Sequence, residues 1–147
     1  MKKIRLKAMA KINLGLDVVR KREDGYHEVR MIMQTIRMYD QIELEPTEAP
    51  GIRVSTNLNY LPTNEDNLVY KAAKLLMDEF DVKKGLNIGL RKFIPVAAGM
   101  AGGSSDAAAV MVGVNRLFHL NLSQKELMER GVKIGADVPY CLMRGTA

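Results

Sequence analysis

The 147-residue chain is predicted to fold as one α+β domain, with helices packed on a mostly antiparallel sheet. Three observations support this: short segments alternate apolar and polar residues, longer ones repeat apolar residues at helical spacing, and no linker-like change of composition divides the chain. A chain of this length buries about two-thirds of its unfolded surface, enough for one core.

Ile4, Leu6 and Ala8 alternate with Arg5 and Lys7, and Ile12, Leu14, Leu16 and Val18 keep that parity, so one or two strands open the chain. Arg22-Glu23-Asp24-Gly25 reads as a turn. Val29 to Ile36 is apolar and fits strand or helix, strand being favoured. Gln41 to Glu45 alternates, and Ile52 to Thr56 is rich in β-branched residues, giving two further strands. From Asn67 to Phe80, Leu68, Ala72, Leu75, Leu76 and Phe80 recur at helical spacing, with Asn64 or Asp66 as cap. Leu86 to Leu90 is a strand that leads into Pro95. Ala108, Met111, Val114, Leu117 and Phe118 trace the apolar face of the next helix. Ser123-Gln124-Lys125-Glu126 fits a capping box at the start of a last helix, which Gly135 is placed to end.

The charge is unevenly spread. Residues 1–37 hold ten basic and four acidic side chains, residues 38–82 three and nine, and residues 83–147 nine and four, for +6, −6 and +5. Two positive ends suit anionic ligands. They would also suit nucleic acid, but aromatic residues are 5% of the chain and no basic-aromatic interleaving appears. A nucleic-acid-binding module is therefore the more distant alternative, and steep salt-dependent RNA binding would mark it. Cys141 is the sole cysteine, so no intrachain disulfide forms and the residue reads as a small buried apolar one. The ten methionines read as core filler. MKKIRLKAMAK lacks a continuous apolar stretch, so it is neither signal peptide nor membrane anchor, and a cytoplasmic protein is expected.

The richest segment runs from Ile94 to Ala109, IPVAAGMAGGSSDAAA, where a glycine-rich loop passes directly into an alanine-rich helix. Gly99, Gly102 and Gly103 let backbone approach a ligand closely, and Ser104 or Ser105 can cap the helix. Unpaired N–H groups and the helix dipole then favour an anion, phosphate above all. A flexible turn with a good cap is the competing reading. The lysine-bearing phosphate loop fails because serines follow Gly103, and the dinucleotide pattern fails on spacing.

Pro95, the glycines and the paired serines resemble the ATP-binding loop of the GHMP kinases. Ala10-Lys11-Ile12-Asn13-Leu14, Asp24-Gly25-Tyr26-His27-Glu28 and Gly135-Ala136-Asp137-Val138-Pro139 are similar to further motifs of that superfamily, in its branch acting on a cytidine diphosphate derivative. The resemblance implies a lobe like the second domain of ribosomal protein S5, with a left-handed βαβ crossover. It implies that residues 1–147 are the N-terminal, ATP-binding lobe. Because members run to about twice this length as two lobes, the chain is expected to be a fragment without the C-terminal lobe, with little or no kinase activity alone.

The resemblance also assigns roles. Pro95, Val96, Ala97, Ala98, Gly99, Met100, Ala101, Gly102, Gly103, Ser104 and Ser105 would cradle ATP, with Asn67 near the adenine. Ser104 or Ser105 would ligate Mg²⁺. Asp137 would take the proton of the substrate hydroxyl, and Lys11, paired with it, would stabilise charge on the transferring group. Without the other motifs, Asp137 would read as a helix cap. Tyr26 would stack on the cytosine, His27 would bond its edge, and Asn13 would lie near the polyol hydroxyls. The partners implied are ATP and this small molecule, not nucleic acid or membrane. Another GHMP kinase acting on a different alcohol is the closer alternative, one that would not need Tyr26 and His27. Met9 stands where relatives have proline, and Met100-Ala101 replaces the commoner Leu-Gly.

Overall fold

A computed structural model describes residues 3–9, 39–58, 63–93 and 102–144. In chain order these form β1 (Ile4–Met9), β2 (Tyr39–Thr47), β3 (Ile52–Thr56), α1 (Leu68–Glu79), β4 (Gly85–Arg91), α2 (Gly102–Leu117), α3 (Gln124–Gly131) and α4 (Val138–Arg144). The expected strands over 12–18 and 29–36, and the turn between them, lie outside the described residues.

Strand order is β1-β2-β4-β3. The pairs β1–β2 and β2–β4 are antiparallel, with Leu6 opposite Ile42 and Ile42 opposite Leu90. The β3–β4 pair is parallel, with Val54 opposite Ile88, so β3, α1 and β4 make a βαβ unit. Mixed pairing of this kind, two antiparallel contacts to one parallel, agrees with the expected α+β class.

Alternation decides which face is buried, because successive side chains of a strand point to opposite sides. Leu6 and Ala8, Ile42 and Leu44, and Leu86, Ile88 and Leu90 all face the helices and are buried, while Arg5, Lys7, Gln41 and Arg91 face outward. The strand β2 extends beyond the expected Gln41–Glu45 at both ends because β4 continues to pair as far as Thr47 and β1 as far as Tyr39.

The helix α2 lies over β1 and β2, between α1 and α4. Its apolar surface is wider than the expected single face: every residue from Ser105 to Met111 is buried, together with Gly113 and Val114. The run of alanines allows this close approach, and Gly113 is its tightest point. A Cβ there would collide with the Leu44 Cδ1 and come within 2.7 Å of the Leu6 Cδ1. Gly113→Ala is expected to destabilise the fold by about 1–3 kcal/mol through overpacking, despite alanine's better helix propensity. A shift in the urea midpoint measures it; an unchanged or raised midpoint would show that the sheet yields.

Helix ends follow local chemistry, with two departures from expectation. Asn67, rather than Asn64 or Asp66, caps α1: its side chain accepts from the Val69 N–H at 3.0 Å, while Asn64 makes a turn of its own to the Asp66 N–H. The capping box forms as expected, with Ser123 and Glu126 each bonding the other's backbone N–H. The helix it opens, α3, ends at Gly131, not at Gly135. Gly131 is buried against α4, where a Cβ would meet Val138 Cγ1 at 2.9 Å, and the chain then tightens into turns such as Ile134 N–H to Gly131 O. Glu79 at the end of α1 and Arg130 in α3 join these helices by a salt bridge at 2.6 Å.

Candidate active site

Three chain segments meet at the N-terminal end of α2. The helix begins at Gly102, so Ser104 and Ser105 sit inside its first turn rather than capping it as expected. Gly102 and Gly103 already belong to the helix, so neither serine is at its cap position.

The two serines diverge. Ser105 is 2% exposed, and its hydroxyl donates to the Met9 carbonyl at 2.6 Å. It also lies 3.5 Å from the Cys141 thiol in α4. This hydroxyl therefore ties α2 to the last residue of β1, immediately before the Ala10–Leu14 motif, and to α4. Ser104 is only partly buried and stands beside the α3–α4 turn, its Oγ 4.0 Å from where a Cβ on Gly135 would lie. Gly103 on the other side approaches α1: a Cβ there would sit 3.3 Å from Leu68 Cδ1, next to Asn67.

Asp137 follows that turn. Its carbonyl accepts from the Cys141 N–H at 3.2 Å, the cap position of α4, and the residue is exposed. The residue expected to act as the base thus also occupies the cap position of α4. Cys141 is buried, as expected of a structural thiol.

The structure therefore brings Gly102, Gly103, Ser104 and Ser105 to one helix end, with Leu68, next to Asn67, and the Gly135 turn that precedes Asp137 packed beside it. Lys11, Asn13, Tyr26 and His27, and Pro95, Val96, Ala97, Ala98, Gly99, Met100 and Ala101, lie outside the described residues. Among the described residues no three acidic, histidine or cysteine side chains group as a metal site.

A buried charge cluster joins β2, the end of β4 and α2, and of its three residues only Asp106 falls within a segment singled out in the sequence. The Lys92 ammonium bonds the Asp40 and Asp106 carboxylates, each at 2.8 Å, and the three side chains are 5%, 0% and 2% exposed. Burial pushes the Asp106 carboxyl well above the usual range, and Asp40 pushes it further, against the pull of Lys92. Burial acts to lower the Lys92 value, but Asp106 and Asp40 outweigh it and hold the ammonium charged. One cation beside two close carboxylates is best balanced when the carboxylates share a proton, which leaves the cluster neutral. Its signal is present in the strands. Asp40 has the inward parity of Ile42 and Leu44, and Lys92 has that of Leu86, Ile88 and Leu90, so each needs a buried partner.

The family model for the GHMP kinases N terminal domain matches residues 67–145. The chain is 63% identical over 144 residues to 4-diphosphocytidyl-2-C-methyl-D-erythritol kinase of Lachnoclostridium phytofermentans, covering 98% of this chain and 50% of that protein. It is 60% identical over 147 residues to the enzyme of that name from Lachnospira eligens, covering 100% of this chain and 51% of the relative. Among solved structures, a 4-(cytidine 5'-diphospho)-2C-methyl-D-erythritol kinase matches with a TM-score of 0.63 and 26% identity, over 99% of this chain and 50% of that one. The chain spans about half the length of the curated relatives it matches.

Proposed function

The chain belongs to the GHMP kinases through their N-terminal domain, and from that premise we propose that the protein carrying it phosphorylates 4-diphosphocytidyl-2-C-methyl-D-erythritol at its 2-hydroxyl, in the non-mevalonate route to isoprenoid precursors. The donor is ATP. The substrate follows the names of the relatives at 63% and 60% identity.

The observation that carries the reaction is the meeting of the α2 N-terminus with the Asp137 turn, through Ser104 and Gly135. Backbone N–H groups of the first turn, with the Pro95–Ala101 segment before them, hold the donor phosphates at the positive end of the helix dipole. Of the two serines, Ser104 is the proposed Mg²⁺ ligand, a choice supported by the commitment of the Ser105 hydroxyl to the Met9 carbonyl. Bound there with ATP, the ion would screen phosphate charge. Asp137 accepts the proton of the attacking hydroxyl as its oxygen bonds to the γ-phosphorus and the bond from that phosphorus to the bridging oxygen breaks, releasing ADP. Lys11 stabilises the charge on the transferring group. Asn67 lies on the adenine side, Tyr26 stacks on the cytosine, His27 bonds its edge and Asn13 meets the polyol. Such stacking is worth about 1–3 kcal/mol per base.

Coupled ADP-release assays test this. The protein carrying these residues is expected to favour the cytidine diphosphate alcohol over mevalonate and homoserine by about 10³-fold or more in kcat/KM, since a site built for polar groups rejects analogues lacking them. Comparable rates with either rival would overturn the substrate, and no ADP with any alcohol would overturn the reaction. Residues 1–147 alone are expected to turn over less than about one-hundredth as fast, because mispositioned reactants forfeit most of the advantage of proximity. Equal turnover would refute that expectation.

A further inference from the structure

We propose that Asp40, Lys92 and Asp106 form a strut that sets the distance between the entry and exit of the glycine-rich loop, and that Asp106 is thereby a positioning residue for the donor phosphates. The role in phosphate binding rests on the kinase reading above; the strut itself does not.

The loop segment 94–101 is flanked by described residues, and every bond of the cluster bears on one of its ends. At the entry, the Asn57 side chain pairs with both backbone groups of Lys92: Asn57 Oδ1 accepts from the Lys92 N–H at 2.8 Å, and Asn57 Nδ2 donates to the Lys92 carbonyl at 3.2 Å. The next N–H, that of Phe93, donates to Asp40 Oδ1 at 2.7 Å. The chain leaving β4 is thus fixed to the end of β3 through Asn57 and to β2 through Asp40. At the exit, Asp106 stands in α2, one residue beyond Ser105, and the Lys92 ammonium reaches its Oδ2 at 2.8 Å. A single side chain spans from the entry of the loop to the helix after it.

An apolar trio would fill this space at lower desolvation cost, because removing charges from water is expensive even when they are paired. What the ionic version adds is direction: hydrogen bonds fix a separation and an angle that apolar contacts leave free to slide. That matters at a phosphate cradle, where a displacement of about 1 Å can cost about a hundredfold in rate. The cluster also withholds Lys92 from phosphate, since its ammonium is already shared between two carboxylates.

Asp106→Ala breaks the strut yet leaves the Asp40–Lys92 pair balanced. In the protein carrying these residues it is expected to raise KM for ATP about tenfold and to leave KM for the alcohol within about twofold. Amide hydrogen exchange in a peptide covering 93–105 should rise by about tenfold, with the α1 peptide unchanged. Asp106→Asn, which keeps an acceptor at the same reach, should restore both readouts to within about threefold of the parent. Lost stability with unchanged ATP KM and unchanged exchange would overturn the proposal, leaving Asp106 a core residue only. Should Asp106→Ala fail to fold, Lys92→Gln, whose shorter side chain reaches one carboxylate at most, carries the same two readouts. If the parent binds no ATP, the kinase reading fails, while the exchange comparison still decides the strut in either direction.

Discussion

Asp137→Asn is expected to lower kcat by about 10³-fold while KM for ATP stays within about threefold, because a positioned general base contributes about 10²–10⁴-fold. The substitution separates the proposed catalytic role of this residue from its capping role. Asparagine is as good a helix N-cap as aspartate, so if Asp137 only caps α4, neither rate nor stability should change. If it accepts the substrate proton, the rate falls and the melting temperature does not. The geometry favours that separation: the backbone carbonyl of Asp137 already serves the first turn of α4 through Cys141, and the residue is exposed beside Ser104 and Gly135. A variant that retains more than about a tenth of the parent rate at equal stability would remove Asp137 from the chemistry.

The strands and helices were legible where one physical signal dominated. Period-two alternation found β1 and the middle of β2, β-branched content found β3, helical spacing found α1, and the reciprocal Ser123–Glu126 cap found α3. Signals failed where long-range packing decided. Gly135 looked like a helix terminator, but α3 stops at Gly131 because α4 lies against it there. Ser104 and Ser105 looked like caps, but helix geometry already holds at Gly102, and tertiary contacts then gave one serine to Met9 and left the other beside the Asp137 turn. The Asp40–Lys92–Asp106 cluster was half legible. Parity places Asp40 and Lys92 inward, but Asp106 joins them only because α2 crosses β1 and β2 so closely, which the alanines and Gly113 permit.

That cluster sets the second large expectation. Lys92→Met should destabilise the protein by about 3–5 kcal/mol at neutral pH, since removing the cation leaves an uncompensated negative charge on the buried carboxyl pair. Methionine matches the lysine stem in length and is unbranched, so packing loss contributes little and the electrostatic cost can be read from the urea midpoint. The pH dependence has a definite sign. In the variant, burial without a counter-charge raises the carboxyl pKa values above their unfolded ones, so the folded state binds more protons than the unfolded state across the interval between them. Its deficit relative to the parent must therefore grow as pH rises from about 4 toward 7 and shrink on acidification. The parent follows only part of this trend: its Asp106 carboxyl is already raised by burial, but the Lys92 ammonium, held charged by Asp106 and Asp40, opposes the rise. The double variant Lys92→Met with Asp106→Leu leaves a single carboxylate, Asp40, which still holds the Phe93 N–H. It should recover part of the lost stability, as buried ion clusters replaced by apolar groups commonly do. Recovery of stability without recovery of ATP affinity would then separate what the cluster does for the fold from what it does for the loop.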